Sequence, residues 1–93
     1  MTPVKALRVV IRGRVQGVGY RAWLAKQAGR RGLDGWVRNR RDGTVEAVLA
    51  GPAPELDEAL AEIGRGPALA RVDAVETEAA ENPGHGFSVR PTV

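Results

Sequence analysis

From Ala6 to Arg12 apolar and polar residues alternate, with Leu7, Val9 and Ile11 on one face and Arg8 and Arg12 on the other. A period of two over that length predicts a half-buried strand. From Ala22 to Arg31 the period becomes helical, with Leu24, Ala25 and Ala28 on one side and Gly32 as the stop signal. Gly35 to Arg41 reads as a second strand. Asp42-Gly43 predicts a hairpin closed by a type I′ turn, which needs positive φ at both central positions. Thr44 to Ala50 returns from it and presents Val45, Ala47 and Leu49 on one face. Pro52 and Pro54 open a second helix. Its stripe is Leu56, Leu60 and Ile63, at spacings of four and three. Glu55, Asp57 and Glu58 lie in its first turns, where acids suit the macrodipole. Gly64 and Gly66 end it. Ala70 to Glu78 predicts a fourth strand, Asn82 to Gly86 a loop, and Phe87 with Val89 a short last strand.

The predicted order is βαββαβ with a short terminal strand. That is the α+β, ferredoxin-like pattern, in which two helices cover one face of a mainly antiparallel sheet. The fold hosts many functions, so chemistry must be read from the residues.

Ninety-three residues are expected to form a single domain, 1–93. A hydrophobic share of 43% with 27% charged residues is ordinary for a folded domain and excludes a disordered chain. No apolar run approaches the roughly 20 residues that span a membrane. Met1 to Arg8 has no long apolar core of a signal peptide, so a cytoplasmic location is the default expectation. The absence of cysteine excludes disulfides and thiolate metal sites, and a single histidine, His85, argues against a histidine-based one. The chain is therefore read as using no metal and no other cofactor.

Charge changes the picture further. Residues 1–46 carry 11 Lys/Arg against 3 Asp/Glu, whereas residues 47–93 carry 3 against 8. The first half is built to meet an anion, or is simply an unevenly charged solvated surface.

Gly13-Arg14-Val15-Gln16-Gly17-Val18-Gly19-Tyr20-Arg21 joins the first strand to the first helix. Its glycines let the backbone curl and turn its N–H groups inward. Such a nest at a helix N-terminus binds anions. Arg21 adds a planar fork that can grip phosphate oxygens in pairs. Two rival patterns fail. Gly17 to Ala22 fits G-x-G-x-x-A, but the chain is short for a dinucleotide sheet and has a hairpin where further βα units belong. A Walker loop would need Gly-Lys-Ser/Thr where Gly19-Tyr20-Arg21 stands. The bland alternative is a plain turn, which leaves the arginine and three glycines at one junction unexplained.

In Gly35-Trp36-Val37-Arg38-Asn39-Arg40-Arg41, parity puts Val37, Asn39 and Arg41 on one face and Trp36, Arg38 and Arg40 on the other. Asparagine is depleted in strands. From spacing alone, Asn39 reads as a residue that shapes the nearby turn. His85 reads as a loop residue, and Trp23 and Trp36 as packing residues.

The two stretches together, with Asp42-Gly43-Thr44-Val45-Glu46 after them, resemble the acylphosphatase signature. The resemblance extends over essentially the whole chain, including Gly66-Pro67 before the fourth strand. Tyr20 stands where an aromatic residue, often Phe, is expected. The resemblance implies hydrolysis of acyl phosphates to a carboxylate and inorganic phosphate by in-line attack of water. It implies that Arg21 and the loop amides of Val15, Gln16, Gly17, Val18 and Gly19 bind the phosphoryl group, and that Asn39 orients the water. The implied partners are a small-molecule acyl phosphate and inorganic phosphate, as product and inhibitor, with no nucleic acid and no membrane, in a monomer.

Elementary chemistry agrees with so small a set of residues. The leaving carboxylate has a conjugate acid of pKa roughly 4, so no general acid is needed. Phosphoryl transfer through a loose transition state needs mainly positioning and charge stabilisation. One rival is a ferredoxin-like RNA-binding module using the basic half. Only four aromatics and no Lys/Arg-Gly-Phe-type motif are present to support base stacking. Another is a non-catalytic accessory domain, since domains of this kind also occur inside larger carbamoyl-transferring maturation proteins. The short chain is expected to be the free enzyme.

Overall fold

A computed structural model describes residues 4–93. The first three residues, on which part of the leader and domain expectations falls, lie outside the described residues. In chain order the elements are β1 (Val4–Arg14), α1 (Tyr20–Arg30), β2 (Asp34–Asn39), β3 (Val45–Pro52), α2 (Ala53–Arg65), β4 (Arg71–Ala79) and β5 (Phe87–Val89). The sheet runs β4-β1-β3-β2-β5. Its pairs are antiparallel except β2 with β5, which is parallel. Leu24 and Ala28 of α1 and Leu56, Ala59 and Ile63 of α2 pack with Val9, Ile11, Val37, Val45, Ala47 and Leu49 in one buried cluster. These strand residues all lie on one face, so the ferredoxin-like sandwich with both helices on that face is the observed fold.

Several elements differ from the sequence expectation, each for a physical reason. α1 begins at Tyr20 instead of Ala22, and Tyr20 joins Leu24 and Ala28 as a buried residue while Ala25 is only half-buried. In α2, Ala59 is buried and Leu60 lies at the edge of the core. β1 runs on to Arg14 because β4 pairs with its end through a bulge between Arg12 and Gly13. Gly13 is at φ 134, and a Cβ there would sit 2.1 Å from the carbonyl oxygen of Arg71. Only glycine lets the two strands meet at that point.

The hairpin is not type I′. Among the described residues none other than glycine has positive φ, so Asp42 does not, and in this turn Gly43 alone does, at φ 90. The Gly43 amide donates to the Arg40 carbonyl at 3.1 Å, and the Arg40 amide to the Thr44 carbonyl at 2.9 Å. This is the longer turn closed by a left-handed glycine. Asp42 favours it by accepting hydrogen bonds from the Thr44 amide (3.0 Å) and hydroxyl (2.6 Å). Those bonds hold its carboxyl below the usual range.

β3 was expected to bury one face and buries both. It is the central strand, and its second face is covered by neighbours. Val48 lies between its cross-strand partners Trp36 and Arg8. Glu46 accepts from Arg8 Nε at 2.6 Å and Arg38 Nε at 2.7 Å and is only 5% exposed. The open sheet face is thus closed by side chains of the sheet itself. Trp23 packs against the core, whereas Trp36 sits on the open face within cation–π distance of Arg38 and Arg90, at 4.6 and 4.7 Å.

Candidate active site

The ends of β1 and β2 and the start of α1 converge on a cavity of about 250 Å³. Its walls include Gln16, Gly17, Gly19, Arg21 and Asn39, so residues far apart in sequence meet there. The loop between β1 and α1 is anchored by Val15, which is fully buried, and by Val18, which packs on the core. Between and after these anchors Gly17 and Gly19 take φ 73 and 78. Left-handed glycines alternating with residues of ordinary φ form the backbone concavity that receives anions. Val18, one of the five loop residues expected to contribute, does not line the cavity; its side chain serves the core.

Gly19 is also the N-cap of α1, with no side-chain cap and no acid in the first turn. The first helical backbone bond of that turn runs from the Trp23 amide to the Gly19 carbonyl, at 3.1 Å. The preceding amides have no acceptor among the described residues. Their partial positive charge therefore faces the cavity. Among the described residues Arg21 makes no side-chain hydrogen bond or ion pair, and no carboxylate lines the cavity. Arg31, one helix length away, shows the contrast: it pairs with Glu58 at 2.6 Å and with Glu62.

Asn39 closes the other side. Strand parity places it with Val37 on the helix-covered face, opposite Val45 in register, and it is 9% exposed. Its Oδ1 is buried with no hydrogen-bond partner among the described residues. A buried unsatisfied oxygen costs about 1–3 kcal/mol, which a valine at this position would avoid. The turn-shaping reading of Asn39 does not describe its side chain, because Asp42 and Gly43 make the turn.

Of the residues that line the cavity, the sequence reading did not place Tyr20, Ala22 or Val89 in the site. Val89 of β5 forms part of the wall and stays 50% exposed. It arrives there because β5 lies parallel to β2, with Val89 opposite Val37, and no local signal announces that pairing. Gln16 was read only for its backbone; its side chain reaches the hairpin. His85 is fully exposed, 3.7 Å from Asp34, and remote from the cavity lining. Among the described residues no three His, Cys, Asp or Glu side chains gather as a metal site, and no helix is long and apolar enough to cross a membrane.

A family model described as acylphosphatase matches residues 7–89. The chain is 56% identical over 93 residues to an acylphosphatase of Rhodopseudomonas palustris, covering 92% of this chain and 94% of that one. It is 50% identical over 91 residues to an acylphosphatase of Rhizorhabdus wittichii, covering 95% and 90%. Among solved structures, an acylphosphatase from Bacillus subtilis superposes with a TM-score of 0.88 at 33% identity, covering 95% of this chain and 99% of that one.

Proposed function

The chain belongs to the acylphosphatase family of hydrolases, and from that premise we propose that Arg21 with the loop amides grips the phosphoryl group while Asn39 orients the attacking water. The observation that carries this reading is the pairing of two unsatisfied groups in one cavity: a guanidinium without a carboxylate and a buried Oδ1 without a donor. One suits an anion and the other a water.

The phosphoryl oxygens lie in the concavity of Gly17 and Gly19. They accept from the loop amides and from the paired N–H groups of Arg21, which neutralise the charge that builds on the equatorial oxygens. Asn39 Oδ1 accepts a hydrogen bond from the water and so turns a lone pair of the water oxygen toward phosphorus, opposite the carboxylate that leaves. The carboxylate departs without a proton, and the phosphate itself takes the proton of the water. Val89 and Ala22 give the acyl group an apolar wall. Inorganic phosphate, the product, fits the same cradle and inhibits.

The protein acts as one domain, as a cytoplasmic monomer. Nucleic acid is not its ligand: Arg8, Arg12 and Arg38 of the open sheet face are engaged by Glu46, Glu76 and Glu78. The test is hydrolysis of benzoyl phosphate by the purified protein before and after exhaustive chelation, beside Arg21→Ala. Unchanged turnover after chelation and its loss in Arg21→Ala are expected. Activity that requires added divalent metal, or an Arg21→Ala protein with normal activity, contradicts the scheme.

A further inference from the structure

Gln16 belongs to the loop that cradles phosphate in the proposed function, yet its side chain serves the opposite half of the site. Gln16 Nε2 donates to the Arg40 carbonyl at 2.7 Å and to the Thr44 carbonyl at 2.9 Å. Those carbonyls already accept from the Gly43 and Arg40 amides within the hairpin. A primary amide has two N–H groups on one nitrogen, and here both are spent on bridging the two strands where the hairpin closes. Among the described residues these are the only side-chain hydrogen bonds between the loop of residues 15–19 and the hairpin.

The residue next to this bridge is Asn39. Its own carbonyl accepts from the Val93 amide at 3.2 Å, and the Arg41 amide donates to the Val93 carbonyl at 2.7 Å. The backbone around Asn39 is thus held from the C-terminal side by residue 93 and from the loop side by Gln16. The phosphate cradle and the water-holding group lie on different elements, and their separation sets whether the water stands in line with the leaving group. A displacement of about 1 Å between reacting groups can cost roughly a hundredfold in rate.

We propose that Gln16 is a positioning residue that sets the distance between the phosphate cradle and Asn39 through its double hydrogen bond to the hairpin. This rests on the reading of Asn39 given above.

The test is a double-mutant cycle of Gln16→Met and Asn39→Ala. Benzoyl phosphate turnover, inhibition by inorganic phosphate and thermal midpoint are read on each protein. Methionine keeps the length of glutamine and removes both donors. Gln16→Met should lower kcat about tenfold or more and change phosphate inhibition by less than about threefold, because the loop amides and Arg21 are untouched. In the Asn39→Ala background the same change should lower kcat by less than about threefold, since the group it positions is gone. A merely structural role would lower the thermal midpoint and leave kcat of the folded fraction unchanged, or multiply with Asn39→Ala independently; either result overturns the proposal. If Gln16→Met does not fold, Gln16→Asn makes the same comparison, retaining the amide without the reach. Normal turnover in Asn39→Ala alone would overturn the reading of Asn39 and this proposal with it. A defective Asn39→Ala beside a fully active Gln16→Met would overturn the proposal only.

Discussion

The hydroxyl of Tyr20 donates a 2.7 Å hydrogen bond to the carbonyl oxygen of Ile63. It ties the first residue of α1 to the last turn of α2, whose carbonyls have no partner further along the helix. Arg21 follows directly, so the start of the helix that carries the arginine proposed to bind phosphate is anchored in the core.

Tyr20→Phe should lose about 1–2 kcal/mol, because the Ile63 carbonyl is left buried without its donor. For a domain this size that is a fall in thermal midpoint of roughly 4–16 °C. Burial also pushes the phenol above its ordinary value of 10.0. Its stabilising effect is therefore complete below that pH and is lost as the pH rises above it. Spectrophotometric titration of the single tyrosine checks this: ionisation should appear only well above the usual range and coincide with unfolding. A freely titrating phenol would contradict the buried bond.

Glu46 binds three strands from the open face, accepting from Arg8 of β1 and Arg38 of β2. Burial pushes its carboxyl up, but the bonds from Arg38 and Arg8 outweigh that and hold it below its ordinary value of 4.5. Removing one partner of a fully buried ion pair costs roughly 3–5 kcal/mol; with both arginines partly exposed, about 1–3 kcal/mol is expected for Glu46→Gln. The contribution is present above the ordinary value and disappears as pH falls through the lowered one. Denaturant titrations across the acid range should show a smaller loss of stability with falling pH in Glu46→Gln than in the parent.

Arg21→Lys keeps the charge and removes the planar fork. Competitive inhibition by inorganic phosphate should weaken by roughly tenfold or more, the scale of one lost charge-assisted hydrogen bond. Stability should barely move, because among the described residues Arg21 has no side-chain partner to lose. Unaltered phosphate inhibition would place the anion elsewhere.

What could be read from the chain was what local periodicity encodes. The alternation of Leu7, Val9 and Ile11, the stripe of Leu56 and Ile63, and the parity that sets Asn39 beside Val37 all reappear in the structure. That the glycine loop and Arg21 share one cavity was legible because they lie within nine consecutive residues. Features made by distant partners were not. The extension of β1 to Arg14 depends on β4, and the burial of Glu46 depends on arginines from two other strands. The turn at Asp42-Gly43 was placed correctly but given the wrong geometry, because Asp42 spends its carboxylate on Thr44 and keeps ordinary φ. Gln16 looked like one more loop amide, since nothing nearby in sequence reveals the carbonyls it bridges.

Asn39→Ala separates the two roles an asparagine can have at this point of the strand. Phosphate affinity, thermal midpoint and acyl-phosphate turnover measured on one Asn39→Ala sample test the division of labour most directly. The fold should persist, because the turn is made by Asp42 and Gly43 and an unsatisfied buried oxygen is removed. Phosphate should bind as before, and turnover should fall by roughly two orders of magnitude or more. A stable, phosphate-binding protein with near-normal turnover would take Asn39 out of the mechanism.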